Sequence, residues 1–104
     1  MIPCSNKTYH YFFRNLANPL KIKIITCLKD KEKSVTELIK DLKVEQSKLS
    51  HALSSLKSCN IVKVKQKGKS RIYSLNKQTM VPILKLIDKH AITYCGGTCK
   101  CKEK

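Results

Sequence analysis

Three cysteines near the C-terminal end of the chain have the residue type and spacing to bind a soft metal ion. Cys95, Cys99 and Cys101 are separated by three residues and then by one, with two glycines after the first. Thiolates select zinc, cadmium, copper(I) or trivalent arsenic, and a glycine-containing segment can gather three sulfurs around one ion. The pattern predicts a thiophilic metal or metalloid site that the fold does not require. The alternative is a disordered end with incidental cysteines.

A serine-rich stretch in the middle of the chain has groups suited to contacting nucleic acid. Wound as a helix, residues 44–58 place four apolar side chains on one stripe: Leu49, Ala52, Leu53 and Leu56. The opposite side and its flanks carry Ser47, Lys48, Ser50, His51, Ser54, Ser55 and Ser58. Serine is a poorer helix former than the Glu, Lys and Gln that usually fill a solvated face. Short hydroxyl side chains allow close approach to a DNA groove, so we predict a recognition helix; an ordinary polar surface helix is the alternative.

The composition favours a small intracellular protein with an anionic partner. The 104 residues suffice for one domain, and 22 Lys and Arg against 7 Asp and Glu give a net charge of +15. Twenty of the cations are lysines, so part of this excess can reflect composition bias. No run of about 20 apolar residues can span a bilayer, and the first residues are no secretory signal. We therefore expect a cytoplasmic protein whose six cysteines serve metal or redox chemistry, with no membrane partner.

The elements around the serine-rich helix form a helix-turn-helix arrangement. Residues 1–6 are predicted to be an arm, and Tyr9, Phe12, Phe13 and Leu16 form an apolar stripe on a first helix. Asn18-Pro19 begins a second helix, and a capping box between Ser34 and Glu37 begins a third. Only residues 43 and 44 separate the third helix from the serine-rich fourth, which makes these two helices a compact pair.

A hairpin and a last helix complete the predicted domain. Residues 61–75 alternate apolar and basic side chains and turn near Lys67-Gly68, which is typical of a wing. Its cations would reach phosphate or a minor groove, and a solvated hairpin is the alternative. Thr79 is expected to cap a last helix with a second apolar stripe: Met80, Ile83, Leu84, Ile87 and Ala91. The stripes on the first and last helices predict a dimer through both, and residues 94–104 form a Cys-rich basic tail.

Five segments resemble the arsenic-repressor (ArsR) family of winged-helix regulators: Leu16–Ile25, Ser34–Leu38, Gln46–His51, Ile61–Val64 and Ile72–Leu75. The resemblance extends over residues 9–93 and implies a mainly α fold of five helices with a small β-hairpin wing. It also implies a homodimeric repressor that binds an inverted repeat in double-stranded DNA and leaves it when an inducer binds. The candidate DNA-binding residues are Thr36, Gln46, Ser47, Lys48, Ser50, His51, Ser54, Lys65, Lys67, Lys69 and Arg71.

The resemblance also bears on how such a repressor would sense its inducer. A cysteine-pair site common in the family is absent here, because the matching stretch is Glu37-Leu-Ile-Lys-Asp41. A second site is half matched by Asp88-Lys-His90, which adds Asp88 and His90 to the three tail cysteines as candidate ligands. Cys27 and Cys95 fit approximately the positions of an oxidant- or sulfur-sensing pair, although Cys27 lies on an apolar stripe and is expected in the core.

Three other classes of function were weighed against a cysteine-modulated repressor. An enzyme is disfavoured because the sequence has no paired carboxylates at a usable spacing, no phosphate-binding glycine loop and no nucleophile with its base. An architectural protein that coats DNA through charge would bind with an affinity governed by salt alone. A protein-interaction winged helix would have no DNA affinity at moderate salt.

Overall fold

A computed structural model of the protein describes residues 6–97. Its elements, in chain order, are helices α1 (Asn6–Leu16) and α2 (Pro19–Leu28), strand β1 (Lys33–Ser34), helices α3 (Val35–Leu42) and α4 (Gln46–Ser58), strands β2 (Val62–Lys67) and β3 (Ser70–Leu75), and helix α5 (Met80–Cys95). Within the described residues, the predicted five helices and hairpin are therefore present. Helix α5 extends through Cys95, the first cysteine of the predicted tail.

Local capping signals explain where α2 and α3 begin. The side chain of Asn18 accepts a 3.1 Å hydrogen bond from the amide of Lys21, and proline occupies the start of α2. The Ser34 hydroxyl accepts from the Glu37 amide at 3.1 Å, and the Glu37 carboxylate accepts from the Ser34 amide at 3.0 Å. Both predicted caps are confirmed.

Thr79 lies at the N-cap position of α5, as predicted, but its side chain does not cap the helix. Thr79 has helical backbone angles (φ −112°, ψ −46°) and makes no side-chain cap hydrogen bond. Asn76 lies before this turn instead: its side chain accepts from the amide of Gln78 at 3.2 Å, and its carbonyl accepts from the amide of Met80 at 2.8 Å. The side chain that stabilises the start of α5 is thus three residues earlier than expected.

The wing belongs to a three-stranded antiparallel sheet in the order β1-β3-β2. Lys67 pairs with Ser70, so the hairpin loop is Gly68-Lys69, and Gly68 has the positive φ of +61° that such a tight turn needs. The turn lies one residue later than predicted. Strand β1 was not predicted; it pairs Lys33 with Tyr73, which attaches the start of α3 to the wing.

The apolar stripe of α4 lies at the centre of the core. Its four predicted residues are all buried, and α2, α3, the sheet and the start of α5 surround them. The remaining buried apolar residues are Ile24, Ile25, Leu28, Leu38, Ile61, Val62, Tyr73, Leu75 and Met80. The opposite face of α4 cannot be covered by the same core, because its side chains point the other way.

Helices α1 and α5 each leave an apolar surface in solvent. On α1, Phe12 and Leu16 pack against the core, but Phe13 is 62% exposed. On α5, Ile83 and Leu84 pack against the core, whereas the helix from residue 86 onward exposes large apolar side chains: Leu86, Ile87, Ile92 and Tyr94. Among residues 6–97, no helix is long and apolar enough to cross a membrane.

Candidate nucleic-acid interface

The polar face of α4 is open to solvent along its whole length. All the predicted readout residues of this helix are exposed: Gln46, Ser47, Lys48, Ser50, His51 and Ser54. The helix follows α3 closely because Lys43 takes the left-handed conformation at φ 52°, and its amide donates to the Ile39 carbonyl at 2.8 Å. Lys43 therefore occupies the left-handed position of this turn, where glycine is common. Because there is no glycine at this position, the sequence contains no clear signal for the turn.

One side of this face borders a groove that we call the wing-side groove, with a cavity volume of about 480 Å³. Its polar lining combines the start of α3, the face of α4 and the wing: Ser34, Thr36, Gln46, Ser50, Ser54, Lys57, Lys69, Ser70 and Arg71. Six of the predicted DNA-binding residues are thus brought together there. Hydroxyl and amide groups in the groove and cations at its wing edge suit base edges and phosphates respectively.

The other side of the face borders a second groove, the α2-side groove, with a volume of about 500 Å³. Ser47, Lys48 and His51 line it from α4, and Asn18 and Lys21 line it from the first turn of α2. The remaining predicted residues of α4 therefore lie beside a helix N-terminus, whose amides favour an anion.

Three of the four predicted wing cations are divided between the two faces of the sheet, and the fourth is in the hairpin loop. Residues paired across antiparallel strands share a face, so Arg71 lies with Gln66 on the face of Val64 and Tyr73. Arg71 also lines the wing-side groove. By the same register Lys65 and Lys67 project from the opposite face, where the Lys67 ammonium lies 3.8 Å from the Glu32 carboxylate. Lys69 is in the loop at the tip of the wing.

Two basic residues of the grooves were missed by reasoning from the sequence. Lys57 lines the wing-side groove three residues after Ser54 and continues the row of Gln46, Ser50 and Ser54 along α4. The spacing of these residues along the helix could have identified Lys57 from the sequence. Lys21 lines the α2-side groove, and it could not be placed without knowing how α2 packs against α4.

Glu37 and Asp41, the two carboxylates of α3, are engaged with partners inside the domain. The hydrogen bond between Lys33 and Asp41 raises the pKa of the lysine and lowers the pKa of the carboxyl. Hydrogen bonds with the Ser34 amide and hydroxyl lower the pKa of Glu37. These carboxylates stay ionised and bound at neutral pH, and neither lines the two grooves beside α4.

Only some of the candidate metal and redox residues lie within the described part of the chain. Cys99 and Cys101 lie outside the described residues, and within residues 6–97 no group of three His, Cys, Asp or Glu side chains is arranged to hold an ion. The Asp88 carboxylate pairs with Lys29 at 3.2 Å, and the His90 ring lies 5.1 Å from that of Tyr94. Cys95 is half-buried at the end of α5.

The first cysteine of the predicted redox pair, Cys27, packs against the core, as its place on an apolar stripe predicts. A buried free cysteine behaves as a small apolar side chain. This position favours the structural interpretation of Cys27 over a sensing one.

Comparison with known proteins identifies the class of this interface. A family model described as "Bacterial regulatory protein, arsR family" matches residues 18–64, from the cap of α2 into β2. The HTH-type transcriptional regulator Rv0081 of Mycobacterium tuberculosis is 33% identical over 79 residues, covering 75% of this chain and 69% of the relative. The chain belongs to the ArsR family. As an ArsR-family protein it is a DNA-binding transcriptional regulator and not an enzyme.

Solved structures support the same assignment. The crystal structure of Rv0081 matches with a TM-score of 0.80 and 30% identity, covering 86% of this ArsR-family chain and 91% of that one. The homodimeric winged helix-turn-helix domain Mb0332 of Mycobacterium bovis, 18% identical, has the same fold with a TM-score of 0.77 over 98% of this chain and 100% of that one.

One further relative carries a functional name. The probable mercury resistance operon repressor of Streptomyces lividans is 28% identical over 86 residues, covering 82% of this chain and 69% of the relative.

Proposed function

We propose that the protein is a homodimeric repressor that reads an inverted-repeat operator with α4 in the major groove. The observation that carries this proposal is the exposed hydroxyl-rich face of α4 between two grooves with cations at their edges. A major groove about 12 Å wide admits one α-helix, and short polar side chains let its backbone come close to the base pairs. A solvated helix would gain nothing from the same serines.

The residues of this interface divide into two roles. The side chains with donors and acceptors to distinguish base edges are those of Gln46, Ser47, Ser50, His51 and Ser54. Lys48, Lys57, Lys69 and Arg71 have the charge to hold phosphates on either side of the groove. Thr36, at the start of α3, lies where a helix N-terminus would meet the DNA backbone.

The second subunit is proposed from the apolar surfaces of α1 and α5. Phe13 on α1 and Ile87 and Tyr94 on α5 are each more than half exposed, which is costly for side chains of this size unless a partner covers them. The related fold of Mb0332 is homodimeric. Two-fold pairing through these helices would place two copies of α4 at successive major grooves, about 34 Å apart.

We further propose that the tail cysteines modulate DNA binding by holding a thiophilic ion. Cys95, Cys99 and Cys101 supply soft donors, and His90 or Asp88 near the end of α5 could complete the set. The mercury resistance operon repressor of Streptomyces lividans is a relative whose name refers to such an ion. Because α5 is also a proposed dimer helix, a change at its end would alter the spacing between the two recognition helices.

This proposal is tested by selecting bound sequences from a random DNA pool with the reduced protein and then adding zinc, cadmium, copper(I), mercury(II) or arsenite. We expect the selected DNA to contain an inverted repeat, and we expect one of the ions to release this DNA from the protein. The protein with all three tail cysteines replaced by serine should not release it. Cys59→Ser is the matched control, because Cys59 is an exposed cysteine elsewhere in the fold. If no ion releases the DNA, but an oxidant does and its effect requires Cys27 and Cys95, the protein senses redox state and not a metal.

A further inference from the structure

One cluster of polar side chains lies between helices that are otherwise packed through apolar contacts. Among the described residues, Asn15 is the one buried polar side chain, with 9% of its surface exposed. Its Oδ1 accepts hydrogen bonds from the Lys21 ammonium and, at 2.9 Å, from the Ser55 hydroxyl. Its amide donates to the Ser55 carbonyl at 3.3 Å, and the Lys21 ammonium also donates to the Ser55 hydroxyl at 2.9 Å. The cluster thus joins α1, α2 and α4.

The position of Ser55 sets this cluster apart from the DNA-reading residues. Ser55 is half-buried on the side of α4 that faces α1 and α2, and it lines neither groove. The buried stripe of α4 consists only of leucine and alanine, whose contacts are not directional and allow small rotations and slides of the helix. Hydrogen bonds require defined distances and angles. The cluster is therefore the contact that can fix how α4 is turned relative to α1.

Helix α1 also bears part of the proposed dimer surface. Asn15 lies two residues after Phe13, whose exposed ring belongs to that surface. A rigid connection from Ser55 to α1 would carry the orientation of each recognition helix to the subunit contact. The distance between the two copies of α4 would then be fixed through Asn15 and Ser55, which line neither of the grooves beside α4.

We propose that Asn15, Lys21 and Ser55 are positioning residues that fix the recognition helix to the dimer helix, and so set the half-site spacing that the protein accepts. This inference rests on the proposed function, since it requires a dimer that binds an inverted repeat. It adds the residues that determine a property of the operator, namely its spacing.

The test compares affinities for the selected operator and for the same operator with one base pair inserted between its half-sites. An inserted pair moves one half-site by about 3.4 Å along the axis and rotates it. We expect wild-type protein to lose at least about tenfold in affinity for the altered spacing. Ser55→Ala should bind the original operator about tenfold more weakly, and should lose much less on insertion. Its binding to random-sequence DNA should not change, because the phosphate-binding cations remain.

Ser58→Ala is the matched control. The Ser58 hydroxyl is on the same helix, but it donates only to the Ser55 carbonyl of its own helix, at 2.7 Å. This variant should keep the wild-type spacing preference, as should Ser55→Thr, which retains the hydroxyl. Asn15→Ala should reproduce the behaviour of Ser55→Ala from the other end of the cluster, and it is the deciding variant if Ser55→Ala does not fold.

The inference is overturned if the cluster variants discriminate between the two spacings as strongly as Ser58→Ala does. A loss of thermal stability with unchanged spacing preference would likewise make the cluster structural only. If wild-type protein selects no inverted repeat at all, the proposed function has failed, and that result is distinct from either of these.

Discussion

His51 is one of the side chains of α4 that we propose to read bases. Its imidazole can donate and accept hydrogen bonds, and it is exposed beside Ser47 in the α2-side groove. We expect His51→Ala to relax the preference at one base pair in each half-site, by about 1–3 kcal/mol of discrimination. Selection from a random pool followed by sequencing measures this change, and an unaltered preference would exclude His51 from base readout.

Arg71 and Lys65 provide a comparison between equal charges on opposite faces of one hairpin. Arg71 lines the wing-side groove beside α4, whereas Lys65 pairs with Ile72 and projects from the other face. We expect Arg71→Gln to weaken binding to all sequences alike and to reduce the slope of log affinity against log salt by about 1. Lys65→Gln removes the same charge and should reduce the slope less. Equal effects would mean that position on the wing does not matter.

Strand β1 and helix α3 are joined by the ion pair of Lys33 and Asp41. The hydrogen bond from Lys33 lowers the pKa of Asp41, so the bond stabilises the fold above the carboxyl's unfolded pKa and is lost as the pH falls through its folded pKa. The raised pKa of Lys33 affects stability only at strongly alkaline pH, as its proton leaves.

We therefore expect Asp41→Asn to be less stable than wild-type protein at neutral pH. The difference should shrink in acid as the pH falls through the lowered pKa of the Asp41 carboxyl, because the protonated aspartic acid and the asparagine are then both uncharged. Urea unfolding at neutral pH and in acid measures the difference. A difference that persisted undiminished in acid would show that the carboxylate charge is not what stabilises the contact.

The elements that could be predicted from the sequence are those specified by neighbouring residues. The capping box of Ser34 and Glu37 and the stripe of α4 depend on spacings of three and four residues, and the structure contains both. Strand β1 could not be predicted, because it has two residues and exists only through pairing with β3, far along the chain. Helix α5 begins directly after Thr79 as expected, but the side chain that accepts a hydrogen bond at this turn is that of Asn76.

The exposure of the candidate residues on α4 was predictable from the sequence, whereas the arrangement of the other elements around them was not. The exposed face of α4 follows from periodicity alone. The separation of Arg71 from Lys65 depends on strand register, and the cluster around Asn15 joins side chains up to 40 positions apart. Long-range contacts of this kind carry no local signal in a sequence.

Dimerisation of the whole molecule determines whether two recognition helices can bind one operator together. Phe13 and Tyr11 are both exposed aromatic residues of α1, 62% and 54% respectively, but they point to nearly opposite sides of the helix. We expect Phe13→Glu to give a monomer and to lose operator binding, because it buries a charge in the proposed interface. Tyr11→Glu should remain dimeric. Sedimentation velocity distinguishes the two, and a dimeric Phe13→Glu would place the interface elsewhere.

The net charge of +15 favours binding to DNA phosphates whatever the sequence of the DNA. A repressor differs from a protein that merely coats DNA in the ratio of its affinity for the selected sequence to its affinity for other sequences. In the first case the polar face of α4 adds sequence-dependent contacts to the phosphate contacts, and in the second it does not.

The most direct measurement is the affinity of the reduced protein for its selected inverted repeat and for the same duplex with both half-sites scrambled, at several salt concentrations. We expect the repeat to bind about 10³-fold more tightly or better, with the preference persisting as salt weakens both affinities. A ratio near one at every salt concentration would contradict sequence-specific reading by α4 and would leave an architectural DNA-binding protein.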